Sequence, residues 1–107
     1  MNIPKLLYYL SCLECPKKIM EDPELTAIWL RKAKSIYIDI TPEEYISITG
    51  CEVCSYTKWH FDVLVLPNLK KVPGIPEANW CSTYEGALNE GIRIAIEYLL
   101  YKELRDG

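Results

Sequence analysis

The C-terminal part of the sequence is predicted to form one long helix that is apolar on two sides. Ser82-Thr83-Tyr84-Glu85 reads as a capping box, and the helix it opens should run about 22 residues, to near Arg105. One apolar side comprises Leu88, Ile92, Ala95, Ile96, Leu99 and Leu100, and the nearly opposite side comprises Ala87, Ile94, Tyr98 and Tyr101. Both sides need cover, from the same chain or from another molecule.

The chain itself has limited material for that cover. Its 107 residues, half of them apolar, can bury one modest core, so we expect a single domain over residues 1–107. A formal net charge of -3 disfavours nucleic acid and anionic membrane surfaces as partners. No apolar run approaches the roughly 20 residues of a membrane span, and residues 3–13 lack the features of a secretory signal. We therefore expect a cytoplasmic protein.

The middle of the chain changes from helical to strand periodicity. Asp22 and Pro23 are suited to the cap and first turn of a helix, whose apolar stripe would be Leu25, Ile28, Trp29 and Ala33. From Ser35 the period becomes two, which predicts a strand with one buried face. That face comprises Ile36, Ile38 and Ile40, and Tyr37 and Asp39 lie on the other.

Further strands follow, separated by turn-like segments. We predict a turn at 41–44, a short strand at 45–49, a connection at 50–55 and a strand at 58–66, which is central because both of its faces are apolar. Three prolines in residues 67–80 allow at most a short edge strand there. The predicted fold class is α+β, with a small antiparallel sheet of two or three strands packed against an N-terminal helix and a long C-terminal helix.

Two C-x-x-C pairs are the most specific chemical signal: Cys12 with Cys15, and Cys51 with Cys54. Four thiolates from two such pairs predict a structural zinc site without an open position for catalysis. Against zinc, the pairs are 35 residues apart, farther than is usual, and buried core thiols are the alternative. A redox couple would place such a pair at the start of a helix.

Catalytic constellations are missing from the sequence. His60 is the only histidine, and Asp62 shares its strand face without an identifiable nucleophile nearby, so we interpret them as surface or structural residues. The sequence contains no glycine-rich phosphate loop, nucleophile elbow or metalloprotease helix. We expect no enzymatic activity.

Three short motifs carry a family resemblance. They are Trp29-Leu30-Arg31, the alternating segment 36–40, and the T-Y-E-G-A-L-N-E-G-I segment at 83–92. With these motifs, residues of about 25 to 100 resemble a family of small uncharacterised proteins from Bacteroidetes and their phages. The resemblance implies a helix-strand-strand-helix domain and an accessory protein of a phage or mobile element, of the kind that commonly binds a host protein.

These observations predict a small non-enzymatic protein-binding protein that inhibits a host defence protein. Tyrosine and tryptophan are favoured interface anchors, and the alternative for each candidate is a place in the core. The candidate partner-binding residues are Trp80, Tyr84, Ile94, Tyr98 and Tyr101. The alternative function is a structural or adaptor module stapled by zinc at Cys12, Cys15, Cys51 and Cys54.

The cover of the second helix side is predicted in two alternative forms. The stripe of Ile94, Tyr98 and Tyr101 is self-complementary across a two-fold axis and would make a homodimer. Alternatively, the N-terminal residues 6–10 cover it within one chain.

Overall fold

A computed structural model describes the backbone of residues 3–106 and the side chains of residues 8–102. The helices are α1 (Ile3–Cys12), α2 (Lys17–Met20), α3 (Pro23–Lys34) and α4 (Tyr84–Asp106). The strands are β1 (Ile36–Thr49), β2 (Glu52–Val65), β3 (Lys70–Lys71) and β4 (Trp80–Cys81). The predicted α+β class, with its antiparallel sheet and long C-terminal helix, is confirmed. The sheet has four strands because the proline-containing segment contributes both β3 and β4, which pair with the central β2.

One long hairpin dominates the sheet. β1 and β2 pair in continuous register from Ile36 with Val65 to Thr49 with Glu52. The turn between them is Gly50-Cys51, and Gly50 has φ +62°, as the first position of a type II′ hairpin turn requires. The turn predicted at 41–44 is therefore wrong, as is the connection at 50–55. β1 continues through Pro42 because it is an edge strand, where a missing N–H is tolerated.

The core lies between the base of this hairpin and the helices. Ile36, Phe61 and Val63 are buried on one hairpin face, as predicted, and that face packs against α4. Gly91 allows the close approach, since a Cβ atom there would lie 2.6 Å from Ile38 Cγ2. We call this the core face of the hairpin.

Both sides of the first part of α4 are covered within one chain. It contacts α1, α3, β1 and β2, and its residues Ala87, Leu88, Ile92, Ile94, Ala95 and Ile96 are all buried. Leu10 and Leu13, from the N-terminal segment, are buried in the same core. The side chains of Leu6 and Leu7 lie outside the described residues. Of the two predicted forms of cover, the structure therefore has the one from within the chain, at least for the first part of α4.

The helix caps were predicted with one error. Asp22 Oδ1 accepts a hydrogen bond from Glu24 N at 2.9 Å, and Pro23 begins α3, as expected. For α4 the cap is Thr83, whose Oγ1 accepts from Gly86 N at 3.0 Å, so the capping box predicted from Ser82 is wrong by one residue.

The buried side of α3 also differs from the predicted stripe. Leu25 and Ile28 are exposed, whereas Thr26 and Leu30 are buried. Thr26 can occupy a core position because its Oγ1 lies 2.9 Å from the carbonyl oxygens of both Ile19 and Asp22, which satisfies the hydroxyl. Within residues 3–106, no helix is both long enough and apolar enough to cross a bilayer.

Candidate binding surface on the hairpin

The hairpin face turned away from α4 is open. Residues that pair across an antiparallel sheet share a face, so Glu43 with Lys58 and Tyr45 with Tyr56 lie together on the side opposite Ile38. None of the β1 and β2 residues on this side is buried. We call it the open face.

Four side chains form a compact group on the open face, which we call the aromatic–lysine cluster: Tyr45, Tyr56, Lys58 and Trp80. The Lys58 ammonium lies 4.5 Å from the Tyr45 ring centroid, 4.4 Å from that of Trp80 and 6.0 Å from that of Tyr56. The two tyrosine rings stack at 5.5 Å with an interplanar angle of 13°. The lysine is thus held by cation–π attraction from three rings.

The pairing of β4 with β2 brings Trp80 into this cluster. β4 pairs with β2 so that Trp80 stands opposite His60. Asn79 fixes that pairing, since its Nδ2 donates to Phe61 O at 2.7 Å and its carbonyl accepts from Phe61 N at 3.0 Å. Trp80 is 39% exposed, so the ring serves the cluster and still presents surface to solvent.

Glu43 stands beside the cluster and is engaged elsewhere. Its Oε2 lies 2.9 Å from His60 Nε2. That nitrogen atom is buried, but its geometry toward Glu43 does not make a hydrogen bond. A hydrogen bond with Glu43 is the main reason that the pKa of Tyr45 is raised. Among the described residues, no carboxylate lies within salt-bridge distance of Lys58.

The far end of the hairpin exposes apolar residues on its core face. Ile46, Ile48 and Val53 are 70%, 71% and 67% exposed, and we call these three the arm patch. They continue the row that begins with Ile36 and Ile38, but α4 begins level with Trp59, whose ring contacts Tyr84 edge-on at 5.5 Å. The helix therefore leaves this half of the hairpin, residues 43–57, without cover; we call that half the arm.

The predicted partner-binding residues are not brought together. Trp80 belongs to the aromatic–lysine cluster, whereas Tyr84 is half-buried and packs against Trp59 with its hydroxyl bonded to Glu24. Ile94 is only 3% exposed, so its assignment to a partner-binding surface is corrected: it is a core residue of the single chain.

Tyr98 and Tyr101 lie at a different place, beside the proline-containing segment. With Pro73, Gly74 and Glu97 they line a cleft of about 580 Å³, at whose base Ile94 is buried. Tyr101 is 64% exposed and Tyr98 is half-buried. The predicted stripe has therefore lost its apolar centre to the core, and the homodimer through it stays a prediction.

The four cysteines predicted as zinc ligands are separated. Cys15 is buried in the core and Cys12 ends α1, whereas Cys51 lies in the hairpin turn and Cys54 on the arm. The described residues contain no group of three or more histidine, cysteine, aspartate or glutamate side chains that could hold a metal ion. The four-cysteine site is thus not assembled, because the hairpin carries the second pair away from the core that holds the first.

Neither pair has the geometry of a redox couple, and the remaining polar candidates are structural. Cys12 ends a helix rather than starting one, and burial raises the pKa of Cys15. Asp62 lies 3.7 Å from Lys71 Nζ rather than on His60, which agrees with the interpretation of both as surface or structural residues.

The strand predicted at 45–49 is confirmed as the end of β1, whereas the strand character of residues 52–57, predicted as part of a connection, was missed. Residues 45–49 read Tyr-Ile-Ser-Ile-Thr and residues 53–58 read Val-Cys-Ser-Tyr-Thr-Lys, both with β-branched and aromatic residues typical of strands.

Comparisons of the chain with models of protein families, with curated proteins and with solved structures found no match.

Proposed function

We propose that this chain is a non-enzymatic protein-binding domain that contacts its partner through the projecting hairpin. The observation that carries the proposal is the arm patch: Ile46, Ile48 and Val53 lie side by side on one face, each about two thirds or more exposed. No layer of the described structure lies over them.

The physical basis is the position of these residues on an unsupported hairpin. A two-stranded hairpin with both faces in water is marginal at best, so residues 43–57 gain most from cover by a second surface. Burying a branched aliphatic side chain contributes about 1.5–3 kcal/mol. Three adjacent ones provide the apolar centre of an interface, with the polar residues around them as its rim.

The finer proposal concerns the partner. The resemblance of residues 25–100 to Bacteroidetes and phage proteins supports a host protein as partner and inhibition as the outcome. A hairpin that extends beyond the core can reach a partner's surface, and the exposed arm is such an element.

The test compares two triple variants in affinity capture from a cell lysate. One changes the arm patch (Ile46→Ser, Ile48→Ser, Val53→Ser), and the matched control changes three exposed apolar residues elsewhere (Leu25→Ser, Ile28→Ser, Leu69→Ser). We expect a protein that is captured by the wild type and by the control but lost with the arm variant. With that protein purified, the arm variant should bind at least about 100-fold more weakly.

Stability measurements separate binding from folding. The free energy of unfolding of the arm variant should lie within about 1.5 kcal/mol of the wild-type value, because none of the three side chains contacts the core and each contributes about 0.5 kcal/mol or less. Equal capture by the arm variant and the wild type, or no captured protein at all, would contradict the proposal.

A further inference from the structure

We infer that the aromatic–lysine cluster is a carboxylate-binding site, which receives an aspartate or glutamate side chain of the protein partner. The inference rests on the proposed function for the identity of the ligand. It stands on a different surface from the arm patch, since Lys58 and Trp80 lie on the open face and Ile46 lies on the core face.

The first step concerns the unmet hydrogen-bonding capacity of Lys58. A lysine ammonium has three N–H donors, and ring faces attract its charge without supplying strong acceptors. Lys58 is half-buried, so it has fewer water contacts than a free surface lysine, and none of the described carboxylates pairs with it. A carboxylate arriving from outside would supply the missing acceptors.

The second step concerns the neighbouring carboxylate that could have filled this role. Glu43 is the direct cross-strand partner of Lys58, yet its Oε2 is 2.9 Å from His60 and it accepts from the Tyr45 hydroxyl. The site is therefore not closed by an internal ion pair, and binding an external carboxylate does not require one to be broken.

The third step concerns the shape around the ammonium. Tyr56 is 46% exposed and Trp80 is 39% exposed, so ring surface remains available beside the charge. The aliphatic stem of a glutamate or aspartate can pack on these rings while its carboxylate reaches Lys58. Tyrosine and tryptophan next to a charged group are the residue types that dominate interface energetics.

Other ligands fit this site less well. A ligand cation would have to displace Lys58, which already occupies the centre of the rings. Nucleic acid would bring many phosphates to one lysine beside Glu43, on a chain of net charge -3. A single carboxylate on a protein surface matches the one available positive charge.

The experiment is a titration followed by the indole N–H resonance of Trp80 in ¹H–¹⁵N spectra, assigned with Trp80→Phe. The probe is a blocked pentapeptide with a central glutamate, and the control peptide has glutamine there. We expect the glutamate peptide to shift the resonance and to bind about tenfold or more tightly than the glutamine peptide. Acetate and inorganic phosphate at equal concentration distinguish a bare anion from a side chain with its stem, and should bind more weakly.

Variants assign the effect to Lys58. Lys58→Gln should reduce the affinity for the glutamate peptide to that for the glutamine peptide, Lys58→Arg should retain it, and Lys70→Gln, at an exposed lysine away from the cluster, should change nothing. Equal shifts by the two peptides, or equal loss in Lys70→Gln, would overturn the inference. A shift with a trimethyl-lysine peptide but not with glutamate would also overturn it, since the rings would then be a cation cage.

The outcomes are separable from those of the capture experiment. Loss of capture with the arm variant together with a failed titration would leave protein binding in place and remove only the carboxylate assignment. A successful titration without any captured protein would instead leave an anion site whose ligand is not a protein.

Discussion

Glu43 and Lys58 stand directly opposite each other on the hairpin, yet they do not form an ion pair. The carboxylate turns toward His60 and Tyr45, and the ammonium turns onto three aromatic rings. This divergence ties β4 to the hairpin through Trp80 and leaves the positive charge accessible on the open face.

The first prediction concerns the contribution of the rings to stability. Replacing Lys58 with methionine keeps an unbranched stem but removes the charge, so we expect a loss of about 0.5–2 kcal/mol in the free energy of unfolding. Lys58→Arg should stay within about 0.5 kcal/mol, since a guanidinium also binds ring faces. Urea unfolding measures both. An equal loss of stability in Lys70→Met would contradict the prediction, because it would show that the cation–π contacts of Lys58 do not stabilise the fold.

The second prediction concerns the contact between α4 and the sheet. Gly91→Ala should destabilise the protein by about 1–2 kcal/mol despite the better helix propensity of alanine, because the new Cβ atom would lie 2.6 Å from Ile38 Cγ2. Combining it with Ile38→Ala should cost less than the sum of the two single changes. Exposed Asn89→Ala on the same helix is the control and should not destabilise. If the losses in the double variant were additive, the destabilisation by Gly91→Ala would not come from contact with Ile38.

The third prediction concerns the start of α4. Thr83→Ala should lower stability by about 1 kcal/mol, because it removes the acceptor for Gly86 N. Ser82→Ala should have little effect, since Ser82 is exposed and makes no cap hydrogen bond in the described structure. Thermal unfolding of the two variants shows which residue caps α4. A larger loss of stability in Ser82→Ala would support Ser82 as the cap, as the sequence predicts.

The fourth prediction concerns the thiols. Iodoacetamide should modify the exposed Cys12, Cys51 and Cys54 first and the buried Cys15 last, as followed by peptide mass spectrometry over time. Burial raises the pKa of Cys15 above its ordinary value of 9.0, so its contribution to stability is present below pH 9 and is lost as the pH rises toward the folded-state value. Early modification of Cys15 in the folded protein would contradict its burial.

The fifth prediction concerns the oligomeric state. Because Ile94 is buried within the chain, light scattering should give the mass of one chain, 12.4 kDa. A doubled mass that falls to that of one chain in Tyr101→Glu would instead support the predicted dimer through Tyr98 and Tyr101. A doubled mass that survives Tyr101→Glu and falls with Ile46→Ser would place the contact on the arm.

The parts of the fold that were predicted from sequence are those with a core on one side. Ile36, Ile38 and Ile40 alternate because one of their faces is buried, and the same holds for Phe61 and Val63. Residues 43–57 have water on both faces, so burial imposes no pattern there, and turn-forming residues such as Pro42 were read as a break. α1 was missed although Ile3, Leu6, Leu7 and Leu10 recur at helical spacing, which is the pattern of an amphipathic helix.

The candidate site was harder to predict because it depends on contacts that are distant in sequence. Trp80 was identified as a possible anchor, but its position beside Lys58 follows from the pairing of β4 with β2, which no local pattern indicates. The separation of the four cysteines was hard to predict for a related reason. Spacing alone could not show that Cys51 lies in a turn at the end of a hairpin with two 14-residue strands while Cys15 is in the core.

The separation between arm and core has an evolutionary consequence. Residues 43–57 contribute few core contacts, so substitutions there should leave the folded fraction of the protein almost unchanged, and in the proposed function they would alter the surface that meets the partner. The core can thus stay constant while the arm diversifies. A protein engaged in an arms race with its target would be able to follow changes in that target by mutating a single hairpin.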